Sequence, residues 1–133
     1  MADKMTFDLV SPEQLLLSEE AEMITIPGRE GDMGVMPGHA PLISTLRPGT
    51  ITVTGGPEGE EQRFFVAGGF AEVTAGKLTV LAEEAVPFSE LDSAALELRI
   101  TAAQELATSA KTDLDGARAQ ELLAYLTSLR TTH

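Results

Sequence analysis

Cysteine and tryptophan are absent from this 133-residue chain, and tyrosine occurs only once. Without cysteine there is no disulfide framework, no thiol nucleophile and no cysteine-based metal site, a composition compatible with the cytoplasm. Carbohydrate sites present aromatic platforms, so the scarcity of tyrosine and tryptophan argues against sugar recognition. These absences exclude thiol chemistry and disfavour a carbohydrate-binding role.

Long hydrophobic runs are also missing. No stretch of about 18 consecutive apolar residues occurs, and the amino terminus lacks the basic and apolar segments of a signal peptide. We therefore expect neither export nor direct insertion into a membrane.

Positive charge is scarce as well. Nine Lys and Arg residues face 21 Asp and Glu residues, which gives a formal net charge of −12. Such a field repels polyanions, so nucleic acids and anionic membrane surfaces are disfavoured partners. Another protein is the expected partner.

Groups suited to catalysis are few. His39 and His133 are the two histidines, and His133 is the last residue, so no Ser-His-acid or metal-ligand spacing can be assembled around His39. The pair Glu83 and Glu84 follows a predicted strand, where a solvated turn is a simpler interpretation than paired catalytic carboxylates. The glycine-rich segment 28–34 lacks the Lys-Ser/Thr and the helix that follow a phosphate-binding loop. We predict no catalytic residue, no metal and no cofactor.

Proline and glycine are concentrated between residues 27 and 50. Four of the seven prolines and five of the twelve glycines lie there, so the backbone is shaped by fixed φ at Pro and free φ at Gly. Two interpretations remain open for this stretch. It forms ordinary hairpin turns, or it forms a shaped contact surface on which His39 is displayed in a tight turn.

The two ends of the chain predict different secondary structure. Residues 1–88 contain short alternating segments with turns every eight to twelve residues, a pattern that indicates a sandwich or barrel. Residues 89–133 are rich in Ala and Leu, contain no Pro, and break near residues 108–113, which predicts an antiparallel two-helix hairpin. The boundary near residue 88 is the only domain boundary that we predict.

Several boundary residues of the hairpin are predicted from capping rules. Ser89 is the expected N-cap of the first helix, and Thr112 or Asp113 that of the second, which should run from about Leu114 to Leu129. The first helix carries two apolar stripes, at positions 91, 94, 95, 98, 102 and 106 and at positions 96, 100, 103, 107 and 110. Two stripes predict packing on two sides.

Two blocks of the chain carry a specific pattern. The first joins Ile24–Gly28 and Glu30-Gly31 to Gly34–Leu42, which reads Gly-Val-Met-Pro-Gly-His-Ala-Pro-Leu, and ends in Leu46-x-Pro48-Gly49. The second, Phe64–Val73, reads Phe-Phe-Val-Ala-Gly-Gly-Phe-x-Glu-Val. Together they strongly resemble the epsilon subunit of bacterial F-type ATP synthase, the equivalent of mitochondrial delta, and the resemblance covers nearly the whole chain.

The resemblance implies a fold and a function. The fold is a β-sandwich of about ten strands followed by a two-helix hairpin. The implied function is that of a noncatalytic central-stalk subunit, which binds the gamma subunit and the c-subunit ring and couples ring rotation to ATP synthesis. The implied location is peripheral, on the cytoplasmic face of the bacterial inner membrane. A standalone β-sandwich ligand-binding module is the alternative, and a hydrolase using His39, Glu83 and Glu84 is a third.

The resemblance also assigns contact residues by position. Those expected at the c ring are Arg29, Glu30, Gly31 and Asp32. Those expected at the gamma subunit are His39, Ala40, Pro41, Leu42 and Ser44.

The hairpin departs from the pattern of the family in two ways. Relatives extend it into the alpha/beta catalytic head, where it inhibits ATP hydrolysis, and some bind ATP through Ile/Leu-Asp-x-x-Arg-Ala. Here Asp92 matches that motif, but Ala95 replaces the phosphate-pairing Arg, and the second helix has only Arg118 and Arg130 as bases. We therefore expect weak or absent nucleotide binding and weak or absent inhibition.

Overall fold

The computed structural model describes residues 4–57, 59 and 61–132. His133 and the loop residues Glu58 and Glu60 lie outside the described residues. The chain divides into two compact units, Met1–Pro87 and Phe88–His133. The first is built of strands and the second of helices.

Within the described residues, ten strands form one curled sheet in the first unit. The strands are β1 (Met5–Val10), β2 (Leu15–Ala21), β3 (Met23–Gly28), β4 (Gly31–Val35), β5 (Leu42–Leu46), β6 (Gly49–Thr54), β7 (Gln62–Val66), β8 (Gly69–Thr74), β9 (Lys77–Ala82) and β10 (Ala85–Pro87). Their spatial order is β10-β7-β6-β3-β5-β8-β9-β1-β2, and β4 pairs with β3 outside this path. All neighbours are antiparallel except β1 and β9, which are parallel.

The sheet encloses its core between two halves. The halves β10-β7-β6-β3 and β5-β8-β9-β1-β2 are joined between β3 and β5 by a single residue pair, Gly28 with Leu46. Alternate residues of the strands point inward, as in β1 and β6, where buried and partly buried positions alternate. Both halves supply core residues, among them Phe7, Leu9, Val73 and Val80 from one half and Ile24, Ile26, Ile51 and Val53 from the other. This architecture confirms the predicted β-sandwich of about ten strands.

The proline- and glycine-rich stretch 27–50 forms the corner between these halves. It contains the end of β3, all of β4 and β5, and the start of β6. The stretch therefore carries the turns that take the chain from one half of the sandwich to the other. Its composition reflects this change of direction, because Pro fixes φ and Gly accepts conformations closed to other residues.

Two helices make up the second unit, α1 (Ser93–Ser109) and α2 (Asp113–Thr132). They are antiparallel, since Oε2 of Glu97, near the start of α1, lies 3.4 Å from Nε of Arg130, near the end of α2. Thr112 caps α2, because its Oγ1 accepts a hydrogen bond from the backbone N–H of Asp115 at 3.1 Å. The predicted two-helix hairpin and the Thr112 cap are both confirmed.

The predicted N-cap of α1 is wrong. Ser89 lies in a single 3₁₀ turn, Phe88–Glu90, which is closed by a hydrogen bond from Leu91 N–H to the carbonyl of Phe88. This turn moves the N-cap of α1 three residues along the chain, from Ser89 to Asp92. The Oδ1 atom of Asp92 accepts from the backbone N–H of Ala95 at 2.9 Å.

The two apolar stripes of α1 differ in their burial. Leu96, Ile100 and Ala103 belong to one stripe and are buried. Leu98 and Leu106 belong to the other and are 73% and 57% exposed. The stripe that contains Leu98 and Leu106 thus leaves apolar surface in contact with solvent. No helix in the described part of the chain is both long and apolar enough to span a membrane.

Candidate interaction site

The tip of the β3–β4 hairpin gathers the four residues predicted to face the ring. Gly28 pairs with Gly31 across the two strands, which leaves Arg29 and Glu30 as the turn between them. Gly31 has a φ of +143°, a conformation that glycine adopts without strain. Arg29, Glu30, Gly31 and Asp32 are all exposed, so the structure places them together on one accessible edge.

Asp32 is not an isolated charge on this tip. Its Oδ1 accepts a hydrogen bond from Nη2 of Arg47 at 2.5 Å, which joins residues 15 positions apart in sequence. The backbone N–H of Arg47 donates to the carbonyl of Pro27 at 3.0 Å, and Pro27 is the strand partner of Asp32. Arg47 occupies the variable position of Leu46-x-Pro48-Gly49, where the sequence pattern gave no reason to select it. The sequence feature that could have pointed to Arg47 is its positive charge, because the chain has only nine Lys and Arg residues.

The turn that carries His39 begins at the other end of β4. His39 N–H donates to the carbonyl of Met36 at 3.1 Å, which closes a turn over Pro37 and Gly38. Gly38 has a φ of +89°, and Pro followed by such a Gly is typical of a type II turn. The ring Nδ1 of His39 lies 2.7 Å from the carbonyl of Ala40, which fixes the imidazole against its own backbone.

The remaining residues predicted to face gamma lie just beyond this turn. Ala40 and Pro41 are exposed, Leu42 at the start of β5 is 37% exposed, and Ser44 is partly buried. Ser44 Oγ donates to the carbonyl of Thr45 at 3.2 Å. The whole group lies on one turn and the strand that follows it.

The hairpin tip and the His39 turn lie at opposite ends of β4. Strand β4 has five residues, and a strand advances about 3.3 Å per residue, so the two turns lie on the order of 15 Å apart along the strand. Ser44 of the gamma group lies nearer the tip, because a Cβ added at Gly28, the strand partner of Gly31, would be 3.7 Å from the Oγ of Ser44. The structure therefore separates the His39 turn, but not Ser44, from the ring group.

An apolar row crosses the sheet beyond β5. Phe70 on β8 is opposite Leu81 on β9, which is opposite Val10 on β1, which is opposite Leu15 on β2. Phe70, Leu81 and Leu15 are 47%, 41% and 58% exposed. Opposed residues project from the same face of a sheet, so the four side chains line up across four strands. We call these four residues the apolar row.

Ile43 extends this surface toward β5. It is 69% exposed, and it lies two residues from Thr45, the strand partner of Phe70. Sequence patterns do not predict this surface, because its members come from five strands, and two of the neighbouring pairs, β5 with β8 and β9 with β1, are not successive in the chain. In β8 and β9 the large side chains of Phe70 and Leu81 are exposed, whereas the neighbouring Ala71 and Ala82 are buried. The sequence alone gave only a weak signal of this arrangement.

A polar cluster lies on the adjacent rung of the same face. Asp8 Oδ1 accepts from Ser18 Oγ at 2.6 Å, and Asp8 Oδ2 lies 3.1 Å from Lys77 Nζ. The hydrogen bond from Ser18 lowers the pKa of Asp8, partial burial opposes this, and the nearby Lys77 lowers the pKa further. The cluster keeps Asp8 ionised beside the apolar row.

Comparison with known proteins identifies the family. The family model for the ATP synthase delta/epsilon chain β-sandwich domain matches residues 4–88. The ATP synthase epsilon chain of Parvibaculum lavamentivorans is 54% identical, with 99% of each chain covered. This chain belongs to the ATP synthase epsilon chain family. The epsilon chain of Rhodospirillum rubrum is 46% identical over 97% of this chain and 96% of its own length.

Solved structures show the same fold. A chain in the Euglena gracilis mitochondrial ATP synthase structure, described as OSCP/F1/c-ring, matches with a TM-score of 0.74 at 26% identity. The match covers 97% of this chain and 81% of that chain. A chain of the Tetrahymena thermophila mitochondrial ATP synthase central stalk and c ring matches with a TM-score of 0.69 at 14% identity, which shows the fold alone. The resemblance inferred from residues 24–49 and 64–73 is confirmed.

Membership in the epsilon chain family makes this protein a noncatalytic subunit of ATP synthase. Within the described residues, no three acidic or histidine side chains converge as a metal site. The family's nucleotide motif falls at the start of α1, where the Asp92 carboxylate is engaged as the helix cap. Ala95 supplies a methyl group where a guanidinium would pair with phosphate.

Proposed function

We propose that this epsilon chain is a central-stalk rotor subunit that joins the gamma subunit to the c-subunit ring and couples ring rotation to ATP synthesis. The apolar row is the observation that carries this proposal furthest. Three large apolar side chains of this row, Phe70, Leu81 and Leu15, are exposed to solvent, and such a surface is typical of a protein-binding site. The gamma subunit is the partner that we assign to it.

The gamma contact combines this row with the turn and strand beside it. The residues expected at gamma lie next to Ile43 in the chain: His39, Ala40, Pro41 and Leu42 precede it and Ser44 follows it. Strand β5 pairs with β8, which carries Phe70. The group is therefore continuous with the apolar surface. Its turn is closed by one backbone hydrogen bond and shaped by Pro37 and Gly38, so it loses little conformational entropy on binding.

The ring contact is the hairpin tip, Arg29 to Asp32. The tip is polar, carries charges of both signs and contains no large apolar side chain. Such a surface suits polar loops rather than a hydrophobic groove. Its separation from the His39 turn along β4 supports a two-sided joint, with the ring at one end and gamma at the other.

The location that we propose is peripheral, on the cytoplasmic face of the bacterial inner membrane. The chain reaches that membrane through its partners, since its net charge of −12 opposes direct binding to anionic lipid. The hairpin reaches the alpha/beta catalytic head weakly or not at all. The second candidate function is a standalone ligand-binding module, and recovery of the chain as a lone monomer in the test below would favour it.

Copurification tests the proposal. The full-length chain, coexpressed with the gamma subunit of the same organism, should copurify in a 1:1 complex, and this complex should bind the isolated c ring. His39→Ala should weaken gamma binding, whereas Asp32→Arg should weaken ring binding and leave the isolated fold intact. Recovery of a lone monomer, or parental assembly and pumping by both variants, would contradict the assignment.

A further inference from the structure

Arg47 contacts both strands of the β3–β4 hairpin at one rung. Its backbone N–H donates to the carbonyl of Pro27 on β3, at 3.0 Å, and its Nη2 donates to Asp32 Oδ1 on β4, at 2.5 Å. Pro27 and Asp32 are paired with each other, one rung before Gly28 and Gly31 at the turn. One residue thus bridges the hairpin next to its tip, through its backbone to β3 and through its side chain to β4.

The hairpin has few other means of holding its tip in place. Strand β4 lies off the main path of the sheet and pairs with β3. Gly31 and Gly34 are two of its five residues, and a glycine in a strand provides no side chain to pack. Only Val35, at the far end of β4, is buried. Met33, in the middle of β4, is partly buried and packs against the core, so the dependence on backbone pairing and on Arg47 is confined to Gly31 and Asp32, next to the tip.

The surroundings of Arg47 are built for this contact. A Cβ added at Gly49 would lie 2.5 Å from Cβ of Pro27 and 3.3 Å from Nη1 of Arg47. The first distance is shorter than real Cβ contacts allow, so the close approach of β6 to Pro27 requires glycine. The side chain of Arg47 is only 30% exposed, whereas that of Asp32 is 67% exposed. Arg47 is therefore the more buried partner of the pair, and Asp32 the more exposed one.

We propose that Arg47 is the positioning residue of the hairpin tip. It holds β4 and the Asp32 carboxylate in the orientation in which the tip meets the c ring, and it balances the charge of Asp32. The inference rests on the proposed function, because it assumes that the tip is the ring contact. It adds to the tip a residue that is itself outside the contact group.

Amide hydrogen exchange on the free full-length protein tests whether Arg47 holds β4 in place. Arg47→Ala should speed exchange in residues 31–35 about two- to fivefold, the range expected for loss of an exposed ion pair. Exchange in β8, Gly69–Thr74, should not change. Arg47→Lys should fall between parent and Arg47→Ala. The matched control is Lys77→Ala, which breaks the Lys77–Asp8 ion pair and should leave residues 31–35 unaffected. Unchanged exchange in Arg47→Ala would overturn the proposal.

Affinity for the assembled gamma subunit and c ring tests the consequence. Arg47→Ala should bind about two- to fivefold more weakly while its melting temperature stays within about 2 °C of the parent. If Arg47 acts through Asp32, then adding Arg47→Ala to Asp32→Ala should weaken binding no further. Fully additive losses would overturn the positioning role, because a merely structural residue gives additive effects.

A tip variant separates failure of this inference from failure of the proposed function. Arg29→Ala combined with Glu30→Ala removes two of the three tip charges and leaves both Arg47 and Asp32 in the chain. If this variant loses ring affinity and Arg47→Ala does not, the positioning role is wrong and the ring contact stands. If neither loses affinity, the tip is not the ring contact, and the proposed function and this inference fail together.

Discussion

Phe70 and Leu81 lie directly opposite each other on β8 and β9, and both keep more than two fifths of their surface exposed, 47% and 41%. Large apolar side chains in this position gain little from the fold of the isolated chain. Their burial by a partner would be favourable at about 25 cal/mol per Å² of apolar surface. We therefore expect the pair to contribute to assembly rather than to the sandwich core.

Replacing Phe70 should separate assembly from stability. We expect Phe70→Ser to weaken gamma binding about tenfold or more, because aromatic anchors dominate interface energies, and to leave the melting temperature nearly unchanged. Titration calorimetry with purified gamma measures the first effect and scanning calorimetry the second. Leu114→Ser is the matched control, since Leu114 is 58% exposed but lies at the start of α2. Equal losses in both variants would argue against the apolar row as the gamma contact.

Nucleotide binding should be absent or weak. The Asp92 carboxylate accepts a hydrogen bond from Ala95 N–H, and no guanidinium stands at position 95. Titration of ATP into the free protein should show no saturable binding at submillimolar concentration. Ala95→Arg should tighten binding about tenfold or more, the order expected of a charge-assisted contact. Ala95→Gln, of similar length without the charge, should not. Submillimolar affinity in the parent would contradict this prediction.

Acid should weaken the sandwich through Asp8. Ser18 and then Lys77 lower the folded-state pKa of Asp8 below that of the unfolded chain, about 3.9, against the opposing effect of burial. The unfolded state then binds the proton more readily, so the stability from this group is present above that pH and is lost as pH falls through the folded-state pKa.

The measurement is the melting temperature of the parent and of Asp8→Asn between about pH 7 and pH 2. The difference between parent and variant should be largest near neutral pH and should shrink in acid. Ser18→Ala should reduce the parent's advantage more than Lys77→Ala, because the Ser18 hydrogen bond is the larger cause. A difference that grows in acid would show the opposite sign and refute the prediction.

The sequence predicts what depends on local rules. Short alternating segments with regular turns predicted the β-sandwich, the Ala- and Leu-rich composition of the second part predicted the two-helix hairpin, and Thr112 was recognisable as a cap. The prediction that Ser89 is the N-cap of α1 was wrong because a 3₁₀ turn, which capping patterns do not predict, occupies Phe88–Glu90. Local rules were sufficient for the fold class and for one helix start.

The contacts that matter most for the site are not local. Asp32 and Arg47 meet only because β3 and β5 join at the single pair Gly28 and Leu46. The apolar row depends on the parallel pairing of β1 with β9, strands separated by most of the sandwich sequence. Alternation fixes which residues share a face of one strand, but the order of strands decides which residues of different strands become neighbours.

Deleting the hairpin should change ATP hydrolysis little. Its second helix offers few bases to the acidic surfaces that inhibitory relatives contact. Of its two arginines, Arg130 already lies 3.4 Å from Glu97 of α1, and both side chains are half exposed. In the assembled enzyme, removal of residues 89–133 should leave the hydrolysis rate within about twofold, a change of less than about 0.5 kcal/mol in the barrier. Arg118→Glu, which keeps the hairpin, should do the same, whereas a several-fold rise in either variant would show that the hairpin inhibits.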